Sequence, residues 1–332
     1  MIRAVLALAI SYLVAGLGLL NLSNAADAQR AAAPRHIGVL VVARAPQSEE
    51  AQAFRRALLS AGYSEGSDVV IEWRAADGDY GRVPELVADL VQRKVDVLVV
   101  ESTIASQAAK RATSTIPIVM TTSSDPVAQG LVASLGRPGA NVTGLSSLGA
   151  DLNKKRLEIL KDVIPKLTRV ALLQSPGSVS SDLQLKELRP AAVALQLKLE
   201  EIDTQPDAKG LESAFETAKQ KHVNAITMVA TRAFFAERKR IVELAEKHRV
   251  PAIYFQREFV DDGGLMSYGV DYDDLFRKAA HYVDKILKGA NPADLSVQQA
   301  TEFKFVVNLK AAKQIGLTVP NRVLERATEV IR

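Results

Sequence analysis

Short apolar runs alternate with segments of helical periodicity along most of this 332-residue chain. The runs HIGVLVV at 36–42 and VDVLVV at 95–100 have the length and the β-branched content of buried strands. Apolar residues at helical spacing separate such runs, for example over 48–59 and 104–111. Because strands that alternate with long helices pair in parallel, this pattern predicts doubly wound α/β sheets.

The same alternation continues to the end of the chain and begins afresh near residue 168. Further strands are predicted at 69–73, 117–121, 141–145, 169–173, 198–202, 225–229, 251–255, 264–270 and 302–307. Further helices are predicted at 83–92, 126–135, 152–164, 182–195, 208–221, 234–248, 272–287 and from Pro320 onward. The pattern predicts two lobes of similar architecture without a repeat at the residue level. Ligands of such sheets bind beyond the carboxyl ends of the strands.

Four hydroxyl residues follow one predicted strand end, in the order Thr121, Thr122, Ser123 and Ser124. Asp125 comes next and is suited to cap a helix, since proline follows it at the first helical position. A strand that delivers hydroxyls and free backbone N–H groups to a helix N-terminus suits an anion or a carboxylate. A plain strand-to-helix connection with a cap explains the same residues, and the stretch alone leaves both interpretations open.

The first 28 residues have the features of a cleaved secretory signal peptide. Arg3 supplies a positive charge, residues 4–22 are apolar, and Ala26 and Ala28 place small residues before a cleavage point. A membrane anchor is the alternative, since the apolar run is near the lower spanning limit, but no polybasic flank or stop-transfer pattern follows it. We therefore expect a periplasmic protein. The chain has no cysteine, which excludes a lipid-anchored Cys, disulfides, thiolate metal sites and a Cys nucleophile.

Charge and motif content argue against nucleic-acid binding and against catalysis. The 42 basic and 38 acidic residues are interspersed, and clusters such as Lys154-Lys155-Arg156 are interpreted as solvated helix faces. No phosphate loop of the Walker type and no nucleophile elbow occurs, and the four histidines stand singly in the sequence. We expect no metal, no cofactor and no enzymatic activity. A secreted two-lobed α/β protein with hydroxyl-rich strand ends and without a catalytic motif is best interpreted as a ligand-binding protein.

The run SDPVAQGLVASLGRPGANVTG at 124–144 resembles the signature of a bacterial family of ABC transporter substrate-binding proteins. Better-known members of that family serve tryptophan- and tyrosine-type uptake systems. Residues 155–173, 265–297 and 305–320 resemble the family as well. The resemblance implies a type I periplasmic binding protein fold, with two Rossmann-like lobes that are joined by a three-stranded hinge and close on a ligand.

The resemblance also implies domain boundaries and partners. Lobe 1 is expected to comprise 36–145 plus 268–297, and lobe 2 to comprise 146–267 plus 298–332. We expect a monomer that binds a small molecule and delivers it to the membrane permease of an ABC transporter. The expected ligand is small, carboxylate-bearing or amino-acid-like, with aromatic compounds included. The loop that begins at Gln174 departs from the Asn-containing loop of the family, so the resemblance does not specify the identity of the ligand further.

Position by position, the resemblance nominates ligand-binding residues in both lobes. The first-lobe residues expected to hold a ligand carboxylate are Ser102, Thr103, Thr121, Thr122 and Ser123. The candidates for an ammonium partner are Glu101, Asp125 and Asp271. The remaining candidates are Arg44 in the first loop, Ser175, Ser178, Thr231, Arg232 and Tyr254 in the second lobe, and Tyr268 at the hinge. Either tyrosine could stack on a planar ligand or pack in the core.

Three other classes of protein share some of these features. A sensory binding protein would present its ligand to a membrane-bound kinase, and the sequence does not separate it from a transporter component. The effector domain of a LacI-type repressor has the same fold, but the signal peptide and the lack of an N-terminal helix-turn-helix argue against it. A secreted hydrolase is disfavoured because no nucleophile and base pair is apparent.

Overall fold

The structure is a computed structural model that describes residues 33–42, 46–175 and 179–332. The predicted signal peptide, residues 1–28, and the candidate residues Arg44 and Ser178 lie outside the described residues. In the part that is described, no helix combines the length and the apolar composition that a membrane span requires.

Six strands form the first sheet, in the spatial order β11-β5-β4-β3-β1-β2. Their bounds are Arg35–Val41 for β1, Val69–Ala75 for β2, Val97–Val100 for β3, Ile118–Ser123 for β4, Val142–Ser146 for β5 and Gln298–Gln299 for β11. Every neighbouring pair is parallel. The carboxyl ends of these strands therefore lie at one edge of the sheet.

Helices cover both faces of the first sheet, because its strands are apolar on both sides. The helices are α1 (Glu49–Ser60), α2 (Val83–Gln92), α3 (Thr103–Ala112) and α10 (Tyr272–Leu287). Phe54 of α1 and Phe276 of α10 pack in a cluster on one face. Leu90 of α2 packs with Leu98 and Met120 on the other face. This arrangement is the doubly wound α/β architecture that the sequence predicts.

The second half of the chain builds two further sheets around a separate core. One has the order β7-β6-β8 and the other the order β13-β12-β10-β9. Their bounds are Arg169–Gln174 for β6, Lys198–Asp203 for β7, Ala225–Met228 for β8, Ile253–Tyr254 for β9, Met266–Val270 for β10, Phe303–Asn308 for β12 and Glu329–Ile331 for β13. A parallel bridge between Ile226 and Ala252 connects β8 to β9, while β10 and β12 are antiparallel.

The helices of this half pack around the second core, which includes Leu160, Leu172 and Phe215. They are α4 (Gly149–Val163), α5 (Val179–Ala194), α6 (Ala208–Gln220), α7 (Arg232–Ala236), α8 (Arg238–Lys247), α9 (Glu258–Asp261), α11 (Leu309–Gln314) and α12 (Asn321–Leu324). Short 3-10 turns occur at Tyr80–Arg82 and Pro292–Asp294. The strand and helix content confirms the predicted α/β class.

The chain exchanges between the two sheet systems at three places. It leaves the first sheet after β5 and returns after β10, as the packing of α10 against α1 shows. It leaves again between β11 and β12. Tyr268 in β10 is half-buried and packs against the cores of both sheet systems. The exchange segments lie side by side, because the amide of Ala300 donates to the carbonyl of Ser146 at 2.8 Å and the amide of Asp271 donates to the carbonyl of Glu302 at 2.9 Å.

The prediction of a helix over 126–135 is wrong, because the structure has turns there. Asp125 caps only a single turn, in which its carboxylate accepts hydrogen bonds from two backbone amides at 3.0 and 3.2 Å. The amides of Leu131 and Val132 then donate to the carbonyl of Pro126, so the chain leaves α-helical geometry. Both of these side chains are buried against the first sheet, and this tertiary packing accounts for their helix-like spacing.

Three other predicted elements differ in extent from the structure. The helix predicted from Pro320 onward ends at Leu324 and is followed by β13. The helix predicted over 234–248 is interrupted at Glu237, where α7 ends and α8 begins. The strand predicted over 251–255 is reduced to the two residues of β9, which pair with β10.

Candidate ligand-binding site

The carboxyl ends of β3 and β4 bring three of the predicted carboxylate-binding residues together. The amide of Ser102 donates to Thr122 Oγ1 at 3.0 Å, and the amide of Ser124 donates to Thr103 Oγ1 at 3.4 Å. Ser102 also caps α3, since its Oγ accepts a hydrogen bond from the amide of Ala105 at 3.3 Å. Each of these three hydroxyls accepts a backbone N–H, so each keeps its own proton for an outside acceptor.

The backbone at Ser102 is held in a conformation that is rare for any residue other than glycine. Its φ is 84° and its ψ is 156°, a combination that costs about 1–3 kcal/mol and occurs mainly at functional sites. The carbonyl of Ser102 accepts a hydrogen bond from Ser106 Oγ at 2.8 Å, which fixes the turn. The loop thus presents its hydroxyls at the N-terminus of α3, where the helix dipole favours negative charge.

Thr121 and Ser123 lie deeper than their neighbours. Thr121 is fully buried and its hydroxyl donates to the carbonyl of Val100 at 3.4 Å, which places it in the packing of β3 on β4. Ser123 is also fully buried, and its Oγ has no hydrogen-bond partner among the described residues. Its carbonyl accepts the amide of Ser147 at 2.8 Å, so Ser123 joins β4 to the end of β5.

The three predicted ammonium partners each have a role within the protein. Glu101 is buried and its Oε2 accepts a hydrogen bond from the amide of Val42 at 2.8 Å. Asp125 is exposed and caps the turn described above. Asp271 caps α10 and also pairs with Lys304 at 3.1 Å. The carboxylates are therefore used in packing and capping.

The second-lobe candidates are divided between strand ends and core. Ser175 follows β6, and its buried Oγ has no partner among the described residues. Thr231 caps α7 through the amide of Phe234, and Arg232 opens that helix, although its side chain lies outside the described part. These residues share the carboxyl ends of β6 and β8, as the sequence predicts for a ligand edge.

The two tyrosines occupy different environments. Tyr254 is buried in the second core and stacks on Phe259 with ring centroids 4.7 Å apart. Burial raises the pKa of its phenol well above the ordinary value. Tyr268 is half-buried, stacks on Phe303 and meets Phe305 edge-on. The structure thus places Tyr254 in the core and keeps Tyr268 at the exchange segments.

Sequence reasoning missed Arg156, which it grouped with a solvated helix face. That interpretation is wrong, because Arg156 is only 1% exposed and points into the protein from α4. Its Nε donates to the carbonyl of Tyr268 at 2.7 Å, and its Nη1 donates to Asn153 Oδ1. Burial lowers the pKa of this guanidinium to about 10, so it stays protonated at neutral pH. The available signal was its spacing, since Arg156 lies four residues after Leu152 and four before Leu160 on the apolar stripe.

Two further buried amides were also missed. Asn153 Nδ2 donates to Gln184 Oε1, and the same oxygen accepts the amide of Ala230 at 2.9 Å. This network connects α4, α5 and the end of β8. It fills the region behind the second-lobe candidates with polar groups.

A cavity of about 60 Å³ lies between the start of α1, the loop after β9 and the start of α10, with Glu50, Gln256 and Lys304 among its lining residues. This volume suits about two waters, while ligand pockets usually enclose about 300 Å³ or more. Within the described ranges no three His, Asp or Glu side chains are grouped as a metal site would need.

Comparisons with known proteins identify the family to which the chain is similar. The family described as ABC transporter substrate binding protein matches residues 36–331. A tyrosine-binding protein of Clostridioides difficile (strain R20291) is 27% identical over 304 residues, which cover 90% of this chain and 85% of that protein.

Two solved structures extend the comparison. An ABC domain in complex with L-Trp from Streptococcus pneumonia is 28% identical with a TM-score of 0.82, covering 90% of this chain and 100% of that one. The ligand-free, open structure of a substrate-binding protein with adhesive properties from Clostridium difficile is 26% identical with a TM-score of 0.68, covering 90% of this chain and 99% of that one.

Proposed function

Because this chain belongs to the family of ABC transporter substrate-binding proteins, we propose that it captures a small carboxylate-bearing or amino-acid-like solute for an ABC importer. Members of the family act outside the cytoplasm and bind their substrates without converting them. The predicted signal peptide at 1–28 agrees with a periplasmic location. The proposed partner is the membrane permease of the importer.

The observation that carries this proposal is the hydroxyl cluster at the start of α3. Ser102, Thr103 and Thr122 each accept a backbone amide and keep a proton to donate. Donors held in place before the ligand arrives lose little entropy on binding, so they favour recognition of a carboxylate. The strained backbone of Ser102 supports a functional role for this loop.

The relatives support an amino-acid ligand. One is named as a tyrosine-binding protein and the other is a complex with L-Trp. Both ligands carry the carboxylate that the hydroxyl cluster is suited to hold. In the second lobe, Ser175 and Thr231 supply further polar groups at strand ends, and we propose the same role for Ser178 and Arg232.

We also propose that the two halves close on the ligand as lobes. The proposed boundaries are 36–145 plus 268–297 for lobe 1, and 146–267 plus 298–332 for lobe 2. The chain resembles the Trp-bound structure more than the ligand-free, open one, although the identities are similar. This difference supports a closed arrangement of the lobes. Closure requires contacts from both lobes, because only differential affinity for the closed state shifts the equilibrium.

Thermal-shift and calorimetric titrations test the proposed ligand class. The chain from Gln29 onward is titrated with amino acids, aromatic acids, purines and dipeptides. A ligand at 100 times its dissociation constant stabilises the protein by about 2.7 kcal/mol, which raises the unfolding temperature measurably. We expect binding by an amino acid or an aromatic acid. Binding by purines alone, or by none of these compounds, would contradict the proposed ligand class.

Variants of the hydroxyl cluster test the proposed site. Replacement of Ser102 or Thr122 by Ala removes a hydrogen bond to a charged group, so we expect affinity to fall roughly tenfold to a hundredfold. Asp182→Ala, on the exposed first turn of α5, is the control and should leave affinity unchanged. Equal affinities for all three variants would show that the site lies elsewhere.

A further inference from the structure

Arg156 is the one buried cationic side chain in the part of the chain that the structure describes. The other buried charged side chains in that part are carboxylates: Glu50, Glu101, Glu200 and Asp274. Two of these have cations beside them, since Glu200 contacts two lysines and Asp274 contacts a lysine and an arginine. Arg156 forms no ion pair with any described carboxylate. Its charge is therefore buried without a counter-charge from the residues whose side chains the structure describes.

A buried charge of this kind is costly unless something neutralises it. The carbonyl of Tyr268 and the amide oxygen of Asn153 accept two of its five N–H groups. These acceptors are dipoles and carry no net charge. If Arg156 had only a structural role, the protein would be more stable with a carboxylate paired to it or with an apolar residue in its place. The unmatched charge therefore indicates an anion that comes from outside the chain.

The position of Arg156 fits a ligand anion. Through Asn153 and Gln184 its network reaches the amide of Ala230, just beyond the carboxyl end of β8. Through Tyr268 it reaches the segment where the chain passes between the two sheet systems. Ligands of open α/β sheets bind at this edge, and the uncommitted Ser175 hydroxyl follows the neighbouring strand.

We propose that Arg156 is the counter-ion of the ligand carboxylate, supplying from the second lobe the positive charge that the first-lobe hydroxyls lack. The inference rests on the proposed function and adds the residue that makes binding selective for an anionic group. Ser102, Thr103 and Thr122 are neutral donors. A carboxylate held by them alone would have no positive charge to compensate its negative charge as the cleft loses water. A counter-charge on the other lobe also gives the ligand a higher affinity for the closed state.

The test compares ligands that differ only in the carboxylate. L-Tryptophan, L-tyrosine, L-leucine and L-glutamine are titrated by calorimetry against their α-carboxamides, with the wild type and with Arg156→Gln. We expect the wild type to prefer the acid by roughly 30-fold or more, and Arg156→Gln to reduce the preference to within about threefold. Arg156→Lys keeps the charge without the planar fork and should restore part of the preference.

Arg326→Gln is the matched control, because Arg326 pairs with Asp162 near the far end of α4. It should keep the wild-type preference for the acid. A second variant, Asn153→Asp, places a carboxylate beside the guanidinium and should weaken the preference without removing Arg156. It loses the amide bond to Gln184, so its unfolding temperature is measured in parallel.

The outcomes separate the two proposals. If the wild type prefers the acids and both Arg156→Gln and Asn153→Asp keep that preference, Arg156 is only a structural tie and this inference is overturned. If the wild type binds none of the acids, the proposed amino-acid ligand fails and the inference, which rests on it, fails as well. Should Arg156→Gln not fold, the result for Asn153→Asp decides.

Discussion

At the residue scale, Asp271 shows how the local role of a side chain limits its use in binding. Its carboxylate accepts the amides of Asp273 and Asp274 at the start of α10, and it pairs with Lys304. A ligand ammonium would have to compete with these partners. The carboxylate is therefore better explained as a helix cap than as the ammonium partner that the family resemblance nominates.

Replacing Asp271 with Asn tests this explanation. Asn caps a helix about as well as Asp, and Lys304 keeps a second carboxylate partner, Asp273, at 3.6 Å, so the free energy of unfolding should change by less than about 1 kcal/mol. The affinity for whichever amino acid binds the wild type should stay within about twofold. Thermal unfolding and calorimetry provide the two measurements. A tenfold loss of affinity with unchanged stability would restore Asp271 as a ligand contact.

The placement of individual candidate residues in the fold was predictable where the signal was local. Ser102, Thr103 and Thr122 follow predicted strands directly, and the structure brings them together because parallel strands end at one edge. Arg156 was not predictable in the same way, because its spacing fits the apolar stripe of α4 while its charge suggests a surface. Only its 1% exposure and its tertiary contact with Tyr268 show that the guanidinium is buried.

At the element scale, the pairing of β4 with β5 positions the hydroxyl loop. The register shifts between Met120 and Ser123, which then lies opposite Ser146. Gly144 makes this close approach possible, because its φ is +124° and a Cβ there would lie 2.2 Å from the carbonyl oxygen of Met120. A side chain at this position would push β5 away from the strand that carries Thr122.

Gly144→Ala should therefore be strongly destabilising, with a loss of about 3 kcal/mol or more in the free energy of unfolding. Gly130→Ala is the matched control, since Gly130 also has a positive φ of +64° but open space where the Cβ would be. That control should lose only about 1–2 kcal/mol, the backbone penalty alone. Urea unfolding of both variants measures the difference. Similar losses would mean that backbone conformation, and not the contact with β4, determines the effect.

Elements with a strong local pattern were predictable, and elements that depend on tertiary pairing were not. The helix over 272–287 and the strand over 36–42 match the structure to within a residue, because their apolar periodicity is continuous. The short strands β11 and β13 have no periodicity of their own and are strands only because they pair with β5 and β12. The absent helix over 126–135 has the right spacing, but packing and hydrogen bonds to Pro126 override it.

At the scale of the whole molecule, three chain crossings connect the two sheet systems where their cores meet. Tyr268 packs against both cores, and its carbonyl accepts the hydrogen bond from Arg156. The proposed carboxylate counter-ion is thus attached to the segment about which the lobes would move. Ligand binding and closure would then depend on the same small group of residues.

Small-angle X-ray scattering tests whether the molecule closes as a unit. A compact chain of roughly 300 residues has a radius of gyration of about 19 Å, and an open two-lobed protein exceeds this value. We expect the radius of gyration of the chain from Gln29 onward to fall towards it when a binding amino acid is added at saturation. The double variant Ser102→Ala/Thr122→Ala, measured at the same ligand concentration, should keep the ligand-free curve. Superimposable wild-type curves, despite binding by calorimetry, would show that the ligand enters a preformed cleft and that the crossings at Ser146, Tyr268 and Gln298 do not act as a hinge.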